Sequence, residues 1–244
     1  MHEQKLATER FDLNVERQFW NDWIGEWKTV DSSSVRRAGA VVAQLRSLNL
    51  ENPRILEVGC GSGWLAAELS RFGSVTGVDL ADEPIAAAKA KYPHVDFIAG
   101  DFQTVDLPAV HFDLAVSVEV ISVFHDPSLF VNRVASLLRS GGYLILTCPH
   151  KFVWDRTDFV RRSHGEIPLN WLNMGELKRL LRNHFSLLHT ETMMPAGNLG
   201  VLRLINSYRL NGLIKKVVPE PSIVGIKERI GLGKTLLVVA QKRV

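Results

Sequence analysis

Short apolar runs alternate with helical patterns through the middle of the chain. Five runs lack the polar alternation of a half-exposed strand: Arg54–Val58, Ser74–Asp79, Val95–Ala99, Phe112–Val118 and Tyr143–Cys148. Unbroken runs of this kind suit parallel strands covered on both faces. Helices fill the gaps. One follows the first run, from Trp64 to Phe72. Asp82-Glu83-Pro84 opens a second through Lys91, with a capping acid and an early proline. Asp126-Pro127 opens a third, which runs to Arg139 and stops at Gly141-Gly142. Asn173 and Glu176 form a capping-box-like pair ahead of Leu177–Asn183. Strand–helix alternation predicts a doubly wound, mostly parallel α/β sheet.

The ends of the chain differ from its middle. Two helices are expected before the first strand, roughly Val15–Thr29 and Ser33–Ser47. Two further strands are expected late, Phe185–Glu191 and Lys234–Gln241, with a long, partly helical insertion between them. The pattern divides as one domain over residues 1–244: a helical extension 1–50, a core 51–148, and insertions 149–184 and 194–233. Insertions of that length in a compact domain are usually lids or partner surfaces. No internal repeat or low-complexity run interrupts the scheme.

Composition narrows the class. Of the 244 residues 46% are hydrophobic and 23% charged, which excludes disorder over most of the chain. No apolar run approaches the ~18 residues of a membrane-spanning helix, so no stable membrane insertion is expected. Met1 to Asn14 is polar and lacks the apolar stretch of a secretory signal. Cys60 and Cys148 are the two cysteines, each in an apolar run, as reduced cysteines of a cytosolic protein would be. A net charge of +3, scattered along the chain, gives no case for nucleic acid.

Chemistry concentrates after the first strand. Glu57-Val58-Gly59-Cys60-Gly61-Ser62-Gly63 places three glycines at alternate positions, a loop that turns sharply and lets a ligand approach its backbone. Gly61 to Ala66 also fits the G-x-G-x-x-A dinucleotide fingerprint, whereas a phosphate-binding Walker loop is excluded because no Gly-Lys-Ser/Thr follows. Carboxylates weigh on the choice of ligand. Glu57, Asp79 and Glu119 close strands, and Asp101 follows one, so all four fall on the ligand edge of a doubly wound sheet. Four acids there repel a pyrophosphate. They suit a ligand with a sulfonium, an ammonium and hydroxyls to donate.

These residues resemble the class I S-adenosylmethionine-dependent methyltransferases that act on small molecules. The resemblance rests on Leu56 to Gly63, Val78-Asp79-Leu80, Gly100-Asp101-Phe102, Phe112 to Ile121 and Leu137 to Tyr143, and spans about residues 53–148. It implies a Rossmann-like sheet of seven strands in the order 3-2-1-4-5-7-6, the last antiparallel. It implies S-adenosyl-L-methionine as cofactor and S-adenosyl-L-homocysteine as product. Gly59, Gly61 and Gly63 would face the methionyl part, Asp79 the ribose hydroxyls, and Leu80 the adenine. Asp101 would accept from the adenine amine, with Glu57, Phe102 and Glu119 completing the cofactor set. No metal site is implied. Where many relatives carry Glu-His after the fourth strand, this chain has Ser122-Val123, so no role carries over to His125.

Methyl transfer needs alignment of acceptor and methyl and, for a hydroxyl acceptor, a base near pKa 7. His150, directly after the fifth strand, is the first candidate, and His164 the second, ahead of His125. Trp20, Trp23 and Trp27 share one helical face, which suits either packing on the core or a lid over the ligand. Arg36 and Arg37 lie where some relatives place an arginine near the cofactor carboxylate. Trp154, Trp171 and Tyr208 are candidate acceptor-lining residues in the two insertions, both read as covering the acceptor. Val201–Val218 reads as a substrate cap, a homodimer surface or a weak membrane-surface patch. The expected reaction is methyl transfer to a small-molecule acceptor, at oxygen. The alternatives are a nicotinamide-dependent oxidoreductase, opposed by the acids, and a non-catalytic S-adenosylmethionine-binding protein.

Overall fold

A computed structural model describes residues 12–26, 30–158 and 169–244. Seven strands form: β1 (Arg54–Val58), β2 (Ser74–Asp79), β3 (Asp96–Ala99), β4 (Phe112–Val118), β5 (Leu138–Pro149), β6 (Phe185–Pro195) and β7 (Gly233–Lys242). Among the described residues ten α-helices accompany them. The first five are α1 (Leu13–Glu26), α2 (Ser32–Ser47), α3 (Trp64–Leu69), α4 (Asp82–Lys91) and α5 (Pro127–Leu137). The others are α6 (Lys151–Trp154), α7 (Met174–Leu181), α8 (Gly200–Ile205), α9 (Tyr208–Ile214) and α10 (Glu220–Arg229).

One sheet holds all seven strands in the order β3-β2-β1-β4-β5-β7-β6. Pairing is parallel except along β7, which runs antiparallel to both β5 and β6. Register decides where chemistry collects. Val58 lies beside Val78 on one side and Ser117 on the other, so β1, β2 and β4 end level. The residues that follow them leave the sheet at one edge.

Both faces of the sheet are covered, which is why its strands read as unbroken apolar runs. Neighbours in β1 point opposite ways: Leu56 joins a core with Phe130, Val134, Leu177 and Leu181 under α5 and α7. Ile55 joins another with Val41, Leu45, Leu69 and Ile85 under α2, α3 and α4. Each fully buried side chain of this kind contributes roughly 1.5–3 kcal/mol. Caps fix the helix entries. Asp31 accepts the Ser34 amide at 2.7 Å, Asp126 that of Ser128 at 2.8 Å, and Asn173 and Glu176 form a reciprocal capping box.

The third predicted helix stops two residues early. Leu138 already pairs with Phe112 in β4, and the next pairing is Leu114 with Tyr143, so residues 139–142 bulge. Asp113 lies between those pairings and draws Arg139 into an ion pair at 2.5 Å and Arg54 into another at 3.1 Å. Burial opposes ionisation of Asp113, but the hydrogen bonds from Arg54 and Arg139 outweigh it and hold the carboxyl at about 2.

The extensions dock differently from one another. Asn21, buried in α1, donates to Asp82 at 2.9 Å and accepts the Glu83 amide at 3.3 Å, which ties α1 to the first turn of α4. In the late insertion Leu202 of α8 is fully buried against Val153 and Leu232. Glu228 of α10 accepts the Met194 amide of β6 at 2.8 Å and pairs with Arg36 at 2.6 Å. Among the described residues no helix is long and apolar enough to cross a membrane.

Candidate active site

A cavity of about 800 Å³ opens at the carboxyl ends of β1, β2 and β4. All four strand-end acids reach its wall: Glu57, Asp79, Asp101 and Glu119. The glycine loop forms its floor through Gly59 and Gly61, and Leu80 and Phe102 stand beside Asp79 and Asp101. The loop glycines divide their tasks. At Gly61, φ is +51° and an added Cβ would have only Ile24 of α1 near it, at 3.7 Å, so this backbone is bare toward the cavity. Gly63 does not line the cavity, which corrects its expected role. A Cβ there would meet Phe97 at 2.6 Å, so Gly63 lets α3 and the loop pack on the sheet.

Asp79 is held by backbone. Its two oxygens accept the Gly61 amide at 2.7 Å and the Ala81 amide at 2.9 Å. A carboxylate has about four acceptor positions, so Asp79 has room for a further donor such as a hydroxyl. Burial raises its pKa, and those amide donors work against the rise. Asp101 accepts the Gln103 amide at 3.0 Å. Glu119 has φ +64°, a sparsely allowed conformation for a residue with a side chain, and such strain gathers at functional sites. Its Oε1 accepts the Thr147 hydroxyl at 3.1 Å. Burial lifts the pKa of Glu119, with Arg37, Thr147 and Lys234 opposing.

Polar atoms left without a partner point to the same place. Among the described residues six buried side-chain nitrogens and oxygens lack a hydrogen bond, and four belong to cavity-lining residues: Glu57 Oε2, Arg37 Nε, Gln103 Nε2 and Trp154 Nε1. Leaving such a group unpaired costs about 1–3 kcal/mol. A polar occupant of the cavity would supply partners for them. Burial and the nearby Asp79 push the Glu57 carboxyl well above the usual carboxylate range, so a cation in the cavity would relieve it.

The adjacent arginines part company. Arg37 lines the cavity, while Arg36 is taken by Glu228. Adjacent helix positions diverge by about 100°, and here the turn separates the two guanidinium groups. The tryptophan stripe also resolves: Trp20 and Trp23 line the cavity with Ile24, so α1 is its lid. Trp27 lies outside the described residues.

His150 departs from expectation. Its ring is buried away from the cavity, with Nδ1 3.0 Å from the Gly233 carbonyl at the start of β7. Burial lowers its pKa, and it ties β5 to β7 instead of facing a ligand. His125 is the histidine of the cavity wall among the described residues, and His164 lies outside them. Trp154 and Trp171 line the cavity as expected, their rings 6.0 Å apart. Tyr208 does not: it is 93% exposed, and no described residue of 194–233 reaches the wall. The described part of that insertion packs on α6 and β6, while Trp154, Leu169 and Trp171 of the earlier one line the site. Among the described residues no group of three His, Cys, Asp or Glu side chains is placed to hold a metal ion.

Comparison with known proteins finds likenesses to methyltransferases. Residues 56–146 match the family model of a methyltransferase domain. A ubiquinone biosynthesis O-methyltransferase of Bradyrhizobium diazoefficiens is 37% identical over 54% of this chain and 53% of its own. A fatty-acid O-methyltransferase of Mycolicibacterium smegmatis is 34% identical over 41% of this chain and 38% of its own. The chain thus spans about half or less of the length of these curated relatives. The crystal structure of an S-adenosylmethionine dependent methyltransferase from Mesorhizobium loti superposes with a TM-score of 0.58 at 21% identity, covering 82% of this chain and 96% of that one, a likeness of fold.

Proposed function

We propose that this chain, a member of the class I S-adenosylmethionine-dependent methyltransferase family, transfers a methyl group to an oxygen of a lipophilic small molecule. The meeting of four strand-end acids in one cavity with unpartnered polar atoms carries the reading. The residues fit the family's cofactor. Asp79 has room to accept from the ribose diol, Asp101 serves the adenine amine, and Leu80 and Phe102 offer apolar surface beside it. Glu57 faces the cationic end, and Arg37 takes the carboxylate. Bound there, the cofactor supplies an electrophilic methyl on a sulfonium.

The protein's own work is alignment and exclusion of water. The lid α1 brings Trp20 and Trp23 over the cavity, and Trp154, Trp171, Leu129 and Leu169 add apolar wall. That wall suits an acceptor with an extended apolar part, as do relatives named for ubiquinone and fatty acids. His125, at the wall, is the group that takes the acceptor's proton in this reading.

Calorimetry tests it. S-adenosylhomocysteine should bind at micromolar strength and NAD or NADP not comparably. Asp79→Ala should weaken that binding by about 30- to 1000-fold, the worth of two charged hydrogen bonds. Methyl transfer should be found to phenols or carboxylic acids with long apolar tails, and His125→Ala should lower kcat while leaving cofactor affinity unchanged. Tight NAD binding without a response to the adenosyl ligand would return the chain to the oxidoreductase reading. Cofactor binding with no transfer to any such acceptor would favour a non-catalytic binding protein.

A further inference from the structure

The charge of the chain is unevenly placed. Between Glu191 and Glu220 there is no acid, while Arg203, Arg209, Lys215 and Lys216 fall there. The rest of the chain carries 25 of the 29 basic side chains and all 26 acidic ones, so this stretch alone makes the protein basic. It is also where large apolar side chains stand in solvent. Val217 is 85% exposed, Leu204 69% and Val201 50%, and Tyr208 lies beside Arg209. The frame beneath is fixed. Leu202 is buried in a small core with Val153, and Lys227 donates to Asn206 at 3.0 Å and Asn211 at 2.9 Å, which pins α8 and α9. Burial on this frame would satisfy the helices without Val201, Leu204, Tyr208 or Val217.

We propose that the segment from α8 through Val217 docks on an anionic lipid surface. Exposed aliphatic and aromatic side chains flanked by cations are the chemistry of the interface between headgroups and acyl chains. Nearby acids cancel one charge of the four: Glu220 pairs with Lys215 at 2.8 Å, while Glu228 is held by Arg36. Arg203, Arg209 and Lys216 have no ion pair among the described residues. A second copy is a poor occupant, because a two-fold contact sets like patches together with no acid to neutralise them. Nucleic acid accounts for the cations and not for Leu204 or Val217. The proposal goes beyond methyl transfer and does not depend on it.

Vesicle co-sedimentation of the full chain tests it. Binding is expected to vesicles of mixed phosphatidylcholine and phosphatidylglycerol, weak binding to phosphatidylcholine alone, and a loss as salt rises. A cation near such a surface is worth roughly fivefold, so Arg203→Ser/Arg209→Ser/Lys216→Ser should weaken binding about 100-fold. Leu204→Ser/Tyr208→Ser should weaken it about tenfold or more with the charge intact. Thermal unfolding midpoints near that of the parent show that both variants fold. No binding to anionic vesicles, or binding that neither variant alters, overturns the proposal. So does a concentration-dependent dimer that the Leu204→Ser/Tyr208→Ser variant abolishes. Loss of cofactor binding in the parent chain would instead strike the methyl-transfer reading, which these arms do not touch.

Discussion

Glu57 is 3% exposed, and its Oε2 accepts no hydrogen bond. Because its pKa in the fold lies well above the ordinary 4.5, the protonated form is the one the fold favours. Stability from this group is therefore complete below about pH 4.5 and is lost as pH rises toward the folded value. Glu57→Gln removes the loss. The variant should unfold a few degrees higher than the parent at neutral pH and together with it in acid. It should also bind S-adenosylhomocysteine about 10- to 100-fold more weakly. In the parent, a bound ammonium lowers the Glu57 pKa, so binding should release protons, measurable by calorimetry in buffers of different ionisation enthalpy, and the Gln variant should release none. A variant less stable at neutral pH with unchanged affinity would refute this account. The acid itself was legible in the sequence, since a carboxylate closing the first parallel strand must emerge at the ligand edge. The direction of His150 was not. It follows from Gly233, 83 residues away, whose carbonyl takes the ring.

At the scale of elements, α1 is a lid clasped by Asn21 on the first turn of α4. Asn21→Leu removes both hydrogen bonds, each worth about 0.5–1.5 kcal/mol. Since Asp82 stays solvated, the loss should fall on closure more than on folding. S-adenosylhomocysteine should leave about 5- to 20-fold faster, read from tryptophan fluorescence in stopped flow, with the unfolding midpoint nearly unchanged. An unchanged release rate would mean that α1 closes without the clasp. Helix entries were plain from Asp126-Pro127 and Asn173/Glu176, because caps are local chemistry. The end of α5 was not, because pairing of Leu138 with Phe112 overrides a helical pattern that runs on to Arg139. Trp20 and Trp23 gave the stripe, but only the dock at Asn21 shows that it faces the cavity.

At the scale of the molecule, strand order was read from resemblance over the core, and the sheet agrees with it. Placing 194–233 over the ligand failed, because nothing local tells on which side of β6 and β7 an insertion between them will pack. The position of β7 has a further consequence. The last strand of the sheet to be synthesised fills the gap between β5 and β6. Until it arrives, each of those strands has an open edge, and β5 carries Tyr143-Leu144-Ile145-Leu146 without a charge. Such an edge is a template for pairing with other chains. The described cavity-lining residues all precede Leu172, so they are synthesised before this hazard is removed. A chain ended at Leu232 should therefore aggregate rather than persist as a soluble monomer, and light scattering on refolding distinguishes the two. Adding back a peptide of residues 233–244 should suppress that aggregation, since what the truncated chain lacks is one strand to close two edges.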